Sequence, residues 1–455
     1  MKKYIVMIVT CWVAWAGVAG AYDLGDVAIH GFISQGYLQS DKYDYLGVRT
    51  EEGSFEMNEM GLNFTSQLTD DLRVGAQLFA MDFGEFGNDE IGVDWAYGDY
   101  RWHNMLGIRA GKFKIAHGLY NETRDIDAVR TYVFLPRAIY DPSTRDTFAG
   151  MKGGNLYGEL PLGFSYHASY GVVPPDEKGK IAQDLSDFAV YEVQDAIHAQ
   201  VRSGVIAQAT AAYIAAGLDP ATAQAMAEAN FGATADAAAD AYVGNTDIQT
   251  GIEDLRTKNT KNFALRWSPP FADGLRLSTT YFGSEVEIDM NLTVDRPAVG
   301  GGADPAAETM PVTIKLDEVS SWVYSLEYTI ENLMLFGEYN RIKVDPRDAE
   351  TTDIEGWTAG ASYRFNYWFE LGGYYSDYCT NIDDRGGEEH VARGEPASAR
   401  WLRDGCVTAR FDINDYWLFK LEGHAMRGLD EVDWKDDPNP GEGWYLFAAK
   451  VTYNF

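Results

Sequence analysis

The chain ends Gly443-Trp444-Tyr445-Leu446-Phe447-Ala448-Ala449-Lys450-Val451-Thr452-Tyr453-Asn454-Phe455. Tyr445, Phe447, Ala449, Val451, Tyr453 and Phe455 share one parity, and Lys450, Thr452 and Asn454 share the other. Successive strand side chains point to opposite faces, so this reads as a strand with one apolar and one polar side. The pattern recurs upstream. Trp417, Phe419 and Leu421 oppose Lys420, Glu422 and His424; Val407, Ala409, Phe411 and Ile413 oppose Thr408, Arg410 and Asp412. Trp357, Ala359, Ala361, Tyr363 and Phe365 oppose Thr358, Ser362 and Arg364, and Phe263, Leu265 and Trp267 oppose Arg266.

A soluble sandwich alternates too, but two features tell against one. Aromatic residues of the apolar face crowd near strand ends, as in an interfacial girdle. The connections also alternate short and long. Residues 69–71, 103–105, 161–163, 331–332, 366 and 414–415 are tight turns, whereas 41–54, 82–91, 115–148, 174–258, 289–318, 345–355, 379–405 and 428–442 are long and polar. Outer-membrane barrels have short periplasmic turns and long extracellular loops. The predicted fold class is therefore all-β, a transmembrane antiparallel β-barrel of about sixteen strands with both termini on the periplasmic side. The expected location is the outer membrane of a Gram-negative bacterium, with outer-membrane lipid and lipopolysaccharide as neighbours.

Composition agrees. The 455 residues carry 37 Lys+Arg against 69 Asp+Glu, a net charge of −32 that excludes nucleic acid as a partner. Three cysteines exclude a disulfide-dense scaffold and a multi-cysteine metal cluster. No metal or cofactor is expected. With no P-loop, H-E-x-x-H, G-x-S-x-G or C-x-x-C-H, neither is an enzyme. Lys2 and Lys3, the apolar run 4–16 and Ala19-Gly20-Ala21 form an export signal, so residues 1–21 are expected to be cleaved and 22–455 to be one barrel domain. Export permits oxidation, and a Cys379–Cys406 disulfide is expected to close the seventh long loop, worth roughly 3–4 kcal/mol by loop entropy.

Tyr453 and Phe455, with Val451 and Ala449, resemble the C-terminal signature by which the barrel-assembly machinery recognises its clients. The architecture is similar to sixteen-stranded porins, and Gly111-Lys112-Phe113-Lys114-Ile115-Ala116-His117-Gly118-Leu119 resembles the end of the fifth strand in the phosphate-selective porin O and P group. That group has a proline where Ala116 stands. The resemblance implies a homotrimer whose third long loop folds into the pore, allowing passive diffusion of small hydrophilic solutes or ions.

The residues themselves nominate the 115–148 segment as the constriction. It supplies Arg124, Arg130, Arg137 and Arg145 against Glu122, Asp125, Asp127, Asp141 and Asp146, with Lys112 and Lys114 on the strand before it. Residues 121–130 read as a short helix capped by Asn121. Alternation puts Arg266, Arg276, Arg364, Arg410, Lys420, Glu338 and Glu422 on the lumen wall. Opposed charges across a narrow pore orient dipolar solutes and sieve ions. The sign of any selectivity stays open, because the arginines favour anions and the acidic total favours cations. The Ala-rich 174–258 segment reads as helix broken at Gly217 and Pro220, either a helical cap or inward plug gating the pore or a surface excursion. A plugged barrel would act as a receptor, an adhesin or the sheath of a partner protein.

Overall fold

The computed structural model describes residues 27–455 except 85, 88, 298–305, 436 and 438; the expected signal at 1–21 lies outside the described residues. Sixteen strands close into one antiparallel barrel in which each strand pairs with its sequence neighbours and the last pairs with the first. They are β1 (Val27–Ser40), β2 (Asn58–Gln67), β3 (Leu72–Asp82), β4 (Gly92–His103), β5 (Leu106–Lys114), β6 (Gly150–Leu160), β7 (Phe164–Val172) and β8 (Asp247–Trp267). There follow β9 (Leu275–Asp295), β10 (Glu308–Ile330), β11 (Leu333–Pro346), β12 (Thr352–Asn366), β13 (Phe369–Cys379), β14 (Trp401–Asp412), β15 (Trp417–Gly428) and β16 (Gly443–Asn454). Short turns gather at one end and long connections at the other, which marks periplasmic and extracellular ends.

The predicted parities hold. In β16, Trp444, Leu446, Ala448, Lys450 and Thr452 are buried toward the lumen while Tyr445 and Phe447 face outward. Aromatic pairs bridge neighbouring strands on the outside near the turns, such as Phe164–Trp267 at 5.2 Å and Trp417–Tyr453 at 4.9 Å between ring centres. A second set, Tyr281–Trp322 and Trp357–Tyr375, lies nearer the loop end. Such pairs stabilise the sheet and suit the lipid–water boundary. The terminal Phe455 exchanges two backbone hydrogen bonds of 2.9 Å with Gly31 and so completes the closing seam. Gly31 lies within β1. A Cβ there would collide with the Phe455 ring and with the Gly61 carbonyl, so glycine makes room for the chain's last side chain.

Three strands are longer than their sequence suggests. β8, β9 and β10 have 21, 21 and 23 residues, about twice the 9–11 needed to cross a membrane. Residues 247–258, 289–295 and 308–318 are therefore strand rather than loop. Their signal is alternation among polar residues: Met290, Leu292 and Val294 on β9, and Met310, Val312, Ile314 and Leu316 on β10, all facing one side. The sheet they form rises above the barrel at its loop end.

Two helices cover that sheet's apolar face, α1 (Lys180–Ala215) and α2 (Pro220–Gly244). They break where predicted. Gly217 takes φ +97° and Pro220 is the first residue of α2, whose start is capped by Asp219 accepting from the Thr222 N–H at 3.2 Å. Ala182, Leu185 and Ala189 of α1 pack on Leu255, Val286, Ile288 and Met290. Beyond that contact the helices pair antiparallel, with Arg202 bound to Glu228 and Asp236 and His198 to Asp240. The start of α1 also meets other loops at the barrel's outer end, where Lys180 pairs with Glu431 at 3.1 Å and Arg393 lies 5.8 Å from the Tyr191 ring centre.

The expected disulfide is absent: Cys379 and Cys406 are both buried free thiols. Register is the reason. Cys379 pairs with Trp401 and Cys406 with Tyr374, because β14 begins five residues before Cys406. Five residues of strand is about 16 Å, whereas a disulfide needs Cα atoms within roughly 7 Å. Unfolding the purified barrel without reductant should expose two maleimide-reactive thiols, and reduction should not change its gel migration.

Candidate functional site

The 115–148 segment leaves β5, crosses the lumen and returns to β6. It lies inside the barrel over nearly its whole length. Asn121 does not cap a helix. The predicted helix is replaced by two 3-10 turns, Asn121–Thr123 and Asp127–Val129, and the Asn121 amide instead donates to the carbonyls of Ile115 (2.9 Å) and Phe148 (2.7 Å). It thereby clamps the two ends of the segment together.

From there the segment hydrogen-bonds around the wall. The Ala116 backbone N–H donates to Asn262 on β8, Gly118 to Thr280 on β9 and Leu119 to Glu338 on β11. The Tyr120 hydroxyl donates to Glu327 on β10, and Tyr132 reaches the Ala361 carbonyl of β12. Thr131 donates to Glu370 on β13, and the Val133 and Phe134 N–H groups donate to Glu422 on β15 at 2.8 and 3.0 Å. Arg410 on β14 donates to the Arg130 carbonyl at 3.0 Å. Most wall residues predicted to face the lumen do so, and they hold the segment or each other. Arg266 pairs with Glu122, Arg276 with Glu327 at 2.9 Å, and Arg364 with Glu370 and Asp412 at 2.7 Å each.

The strongest anchor is Asp127, 1% exposed. Its carboxylate accepts from Lys420 (3.2 Å), Arg130 (2.9 Å) and Thr452 (2.6 Å), with Lys450 at 3.4 Å. Lys420 is fully buried and also donates to the Asp127 and Tyr132 carbonyls. Burial alone would raise the Asp127 carboxyl, but Lys420, Lys450 and Arg130 hold it well below the usual carboxylate range. Asp125 is held down in the same way by Lys114 and Arg145 against its burial. Arg145 contacts Asp125 at 2.6 Å, and Asp94 on β4 takes Lys114 at 2.7 Å. Arg137 is drawn off the pore axis by Asp141 (3.1 Å), Asp430 (2.8 Å) and Glu431 (3.5 Å) at the extracellular rim.

Arg124 differs from the others. It is buried, and among the described residues its side chain finds only the Asn121 amide oxygen at 3.3 Å. Burial, with Arg145 and Arg130 nearby, pushes its guanidinium down to about 10. It lines an internal cavity of ≈60 Å³ with Arg130, Arg145, Lys450, Glu59 and Tyr140. Arg145 also borders the extracellular vestibule of ≈550 Å³, beside Lys112 and Asp94. Arg130 also borders a periplasmic vestibule of ≈490 Å³, where Arg410, Arg364 and Arg276 continue the sequence of cations. The cavity thus lies between the two ends and shares one arginine with each.

No family model matches the sequence, and no curated protein matches it. Solved structures do. OmpT, an outer membrane protein of Vibrio cholerae, aligns over 96% of this chain and 100% of its own at 10% identity, with a TM-score of 0.51. OprB of Pseudomonas putida aligns over 94% of each chain at 9% identity, with a TM-score of 0.53. Salmonella typhi OmpF, solved with daunomycin, covers 96% of this chain at 10% identity with a TM-score of 0.50. The chain has the fold of the sixteen-stranded outer-membrane porins. At these identities the likeness is one of fold, and the resemblance of residues 111–119 to the phosphate-selective group remains local.

On this porin fold, sequence reading found the loop and most of its charges but missed Asp94 and Glu59 and did not single out Lys450 and Thr452. Parity alone placed Lys450 and Thr452 on the polar face; what it lacked was the loop residue they meet. Replacing Asp127 by Asn leaves Lys420 without a carboxylate in a dry site. We expect a loss of about 3–5 kcal/mol, read as a lower urea midpoint for the detergent-refolded barrel.

Proposed function

We propose that the chain is a passive outer-membrane channel for small anions, with 115–148 as its constriction and Arg124 as the residue that sets selectivity. The observation that carries this is the Arg124 guanidinium, which has no carboxylate partner among the described side chains, in a cavity that shares Arg145 with one vestibule and Arg130 with the other. Arg130, Arg145, Lys420 and Lys450 are by contrast each paired with a carboxylate. A cation passing Arg124 meets like charge between low-dielectric walls, whereas an anion finds donors in place of its lost water. The acidic excess of the chain does not oppose this, because much of it lies in the extracellular loops and their strand extensions. No catalytic role is proposed. A homotrimer fits the fold, since V. cholerae OmpT has been solved in a trimer form.

The hydrogen bonds that fasten 115–148 to most of the wall favour a second reading, a closed barrel serving as receptor, adhesin or sheath. Planar bilayers under a KCl gradient separate the two. The channel reading expects a small stable conductance with an anion-favouring reversal potential. Arg124→Glu should move that potential toward potassium, by a larger step than Arg137→Glu. A silent wild-type protein would put the closed barrel ahead. Conductance with no shift in Arg124→Glu would remove Arg124 from the ion path.

A further inference from the structure

Away from the arginines, β13, β14 and β15 turn a different set of side chains inward. Cys406 of β14 stands opposite His424 of β15 and opposite Tyr374 of β13. Asp404 and Glu422 lie two residues away on the same faces, and all four groups are almost fully buried. His424 Nδ1 is 3.0 Å from both oxygens of Asp404, which the Tyr374 hydroxyl holds in place at 3.0 Å. His424 Nε2 is 3.1 Å from Glu422 Oε1. The Cys406 thiol, the Glu422 carboxylate and the His424 ring each present one donor atom, and the three atoms lie within 4.8 Å of one another.

A carboxylate on Nδ1 fixes the tautomer and aims Nε2 as a ligand, which is how histidine is prepared in most zinc sites. Two carboxylates account for holding a doubly protonated ring; the thiol is not needed for that pairing. It completes instead a mixed sulfur, nitrogen and oxygen donor set suited to a borderline ion. A tetrahedral ion with bonds of ~2.0–2.3 Å places its donors roughly 3.3–3.8 Å apart. The Nε2–Oε1 pair, at 3.1 Å, is already that near, and atoms within 4.8 Å need to close by at most about 1–1.5 Å.

We propose that Cys406, Glu422 and His424 form a zinc(II) site, with Asp404 as the carboxylate that orients the imidazole. Binding displaces the thiol proton and the Nε2 proton. Two protons leave as one doubly charged ion enters, so the net charge of the site, counting the ion, is unchanged. The rings of Phe134 and Tyr374 flank the imidazole, with centres 6.0 and 6.3 Å from it. Glu422 also accepts from the Val133 and Phe134 N–H groups, so one ligand of the ion is the side chain that fastens the constriction segment to β15. This site is independent of the ion selectivity proposed above.

The test uses the untagged barrel refolded in detergent with ZnCl2, desalted, and analysed by elemental mass spectrometry. About one zinc per chain is expected, falling more than tenfold in Cys406→Ser and His424→Gln and retained in Cys379→Ser. Heat-modifiable gel migration reports whether each variant has folded. Refolding the wild type with Co(II) should produce a thiolate-to-cobalt charge-transfer band, which decides the matter if Cys406→Ser does not fold. Wild-type protein without stoichiometric zinc, zinc retained in folded Cys406→Ser, or a cobalt adduct without the sulfur band would each overturn the site.

Discussion

The pairing of Asp127 with Lys420, Arg130 and Lys450 is the interaction on which the interior depends. A sixteen-stranded barrel is wide enough to hold water, and a polypeptide that displaces the water must satisfy every polar group the water served. Isolated buried charge is costly, so a carboxylate on the crossing segment and two lysines on the wall require one another. Their meeting fixes the segment's height in the lumen. The Glu338, Glu370 and Glu422 contacts follow from that position, and the Asn121 clamp fixes where the segment leaves and re-enters the wall.

Much of this was legible, and the reason is periodicity. A strand's two faces differ by one residue of parity, so Lys420, Glu422 and Arg410 could be assigned to the lumen from a short window. Register and partnership were not legible in the same way. Lys420 lies nearly three hundred positions from Asp127, and nothing local in either stretch announces the other. The two cysteines failed for a related reason. Each sat near a strand boundary as read, but a five-residue error in where β14 begins is invisible to alternation and decides whether two thiols can meet. The extensions of β8–β10 were missed because charged residues on their outer face, such as Arg256, Glu287 and Asp289, made strand look like loop.

The segment's arginines show how sequence counts mislead about electrostatics. Four arginines in one loop suggest four positive charges at a pore. The fold assigns Arg137 to the rim acids, Arg145 to Asp125 and Arg130 to Asp127, and among the described side chains gives Arg124 no carboxylate partner. Local field depends on which charge stays uncompensated in a low-dielectric space.

Closing a sheet into a barrel removes its edges, but the part of β8–β10 that rises above the barrel brings two of them back. β7 stops pairing at Gly171, so the outer half of β8 has an open side; β11 stops near Pro346, and the outer half of β10 is open on the other. Open strand edges recruit the strands of neighbouring molecules. Here Pro311 lacks the N–H that such pairing would use, and Glu253, Asp254, Arg256 and Lys258 load the β8 edge with charge. In a crowded membrane the extension can therefore stand beside copies of itself without being drawn into continuous sheet.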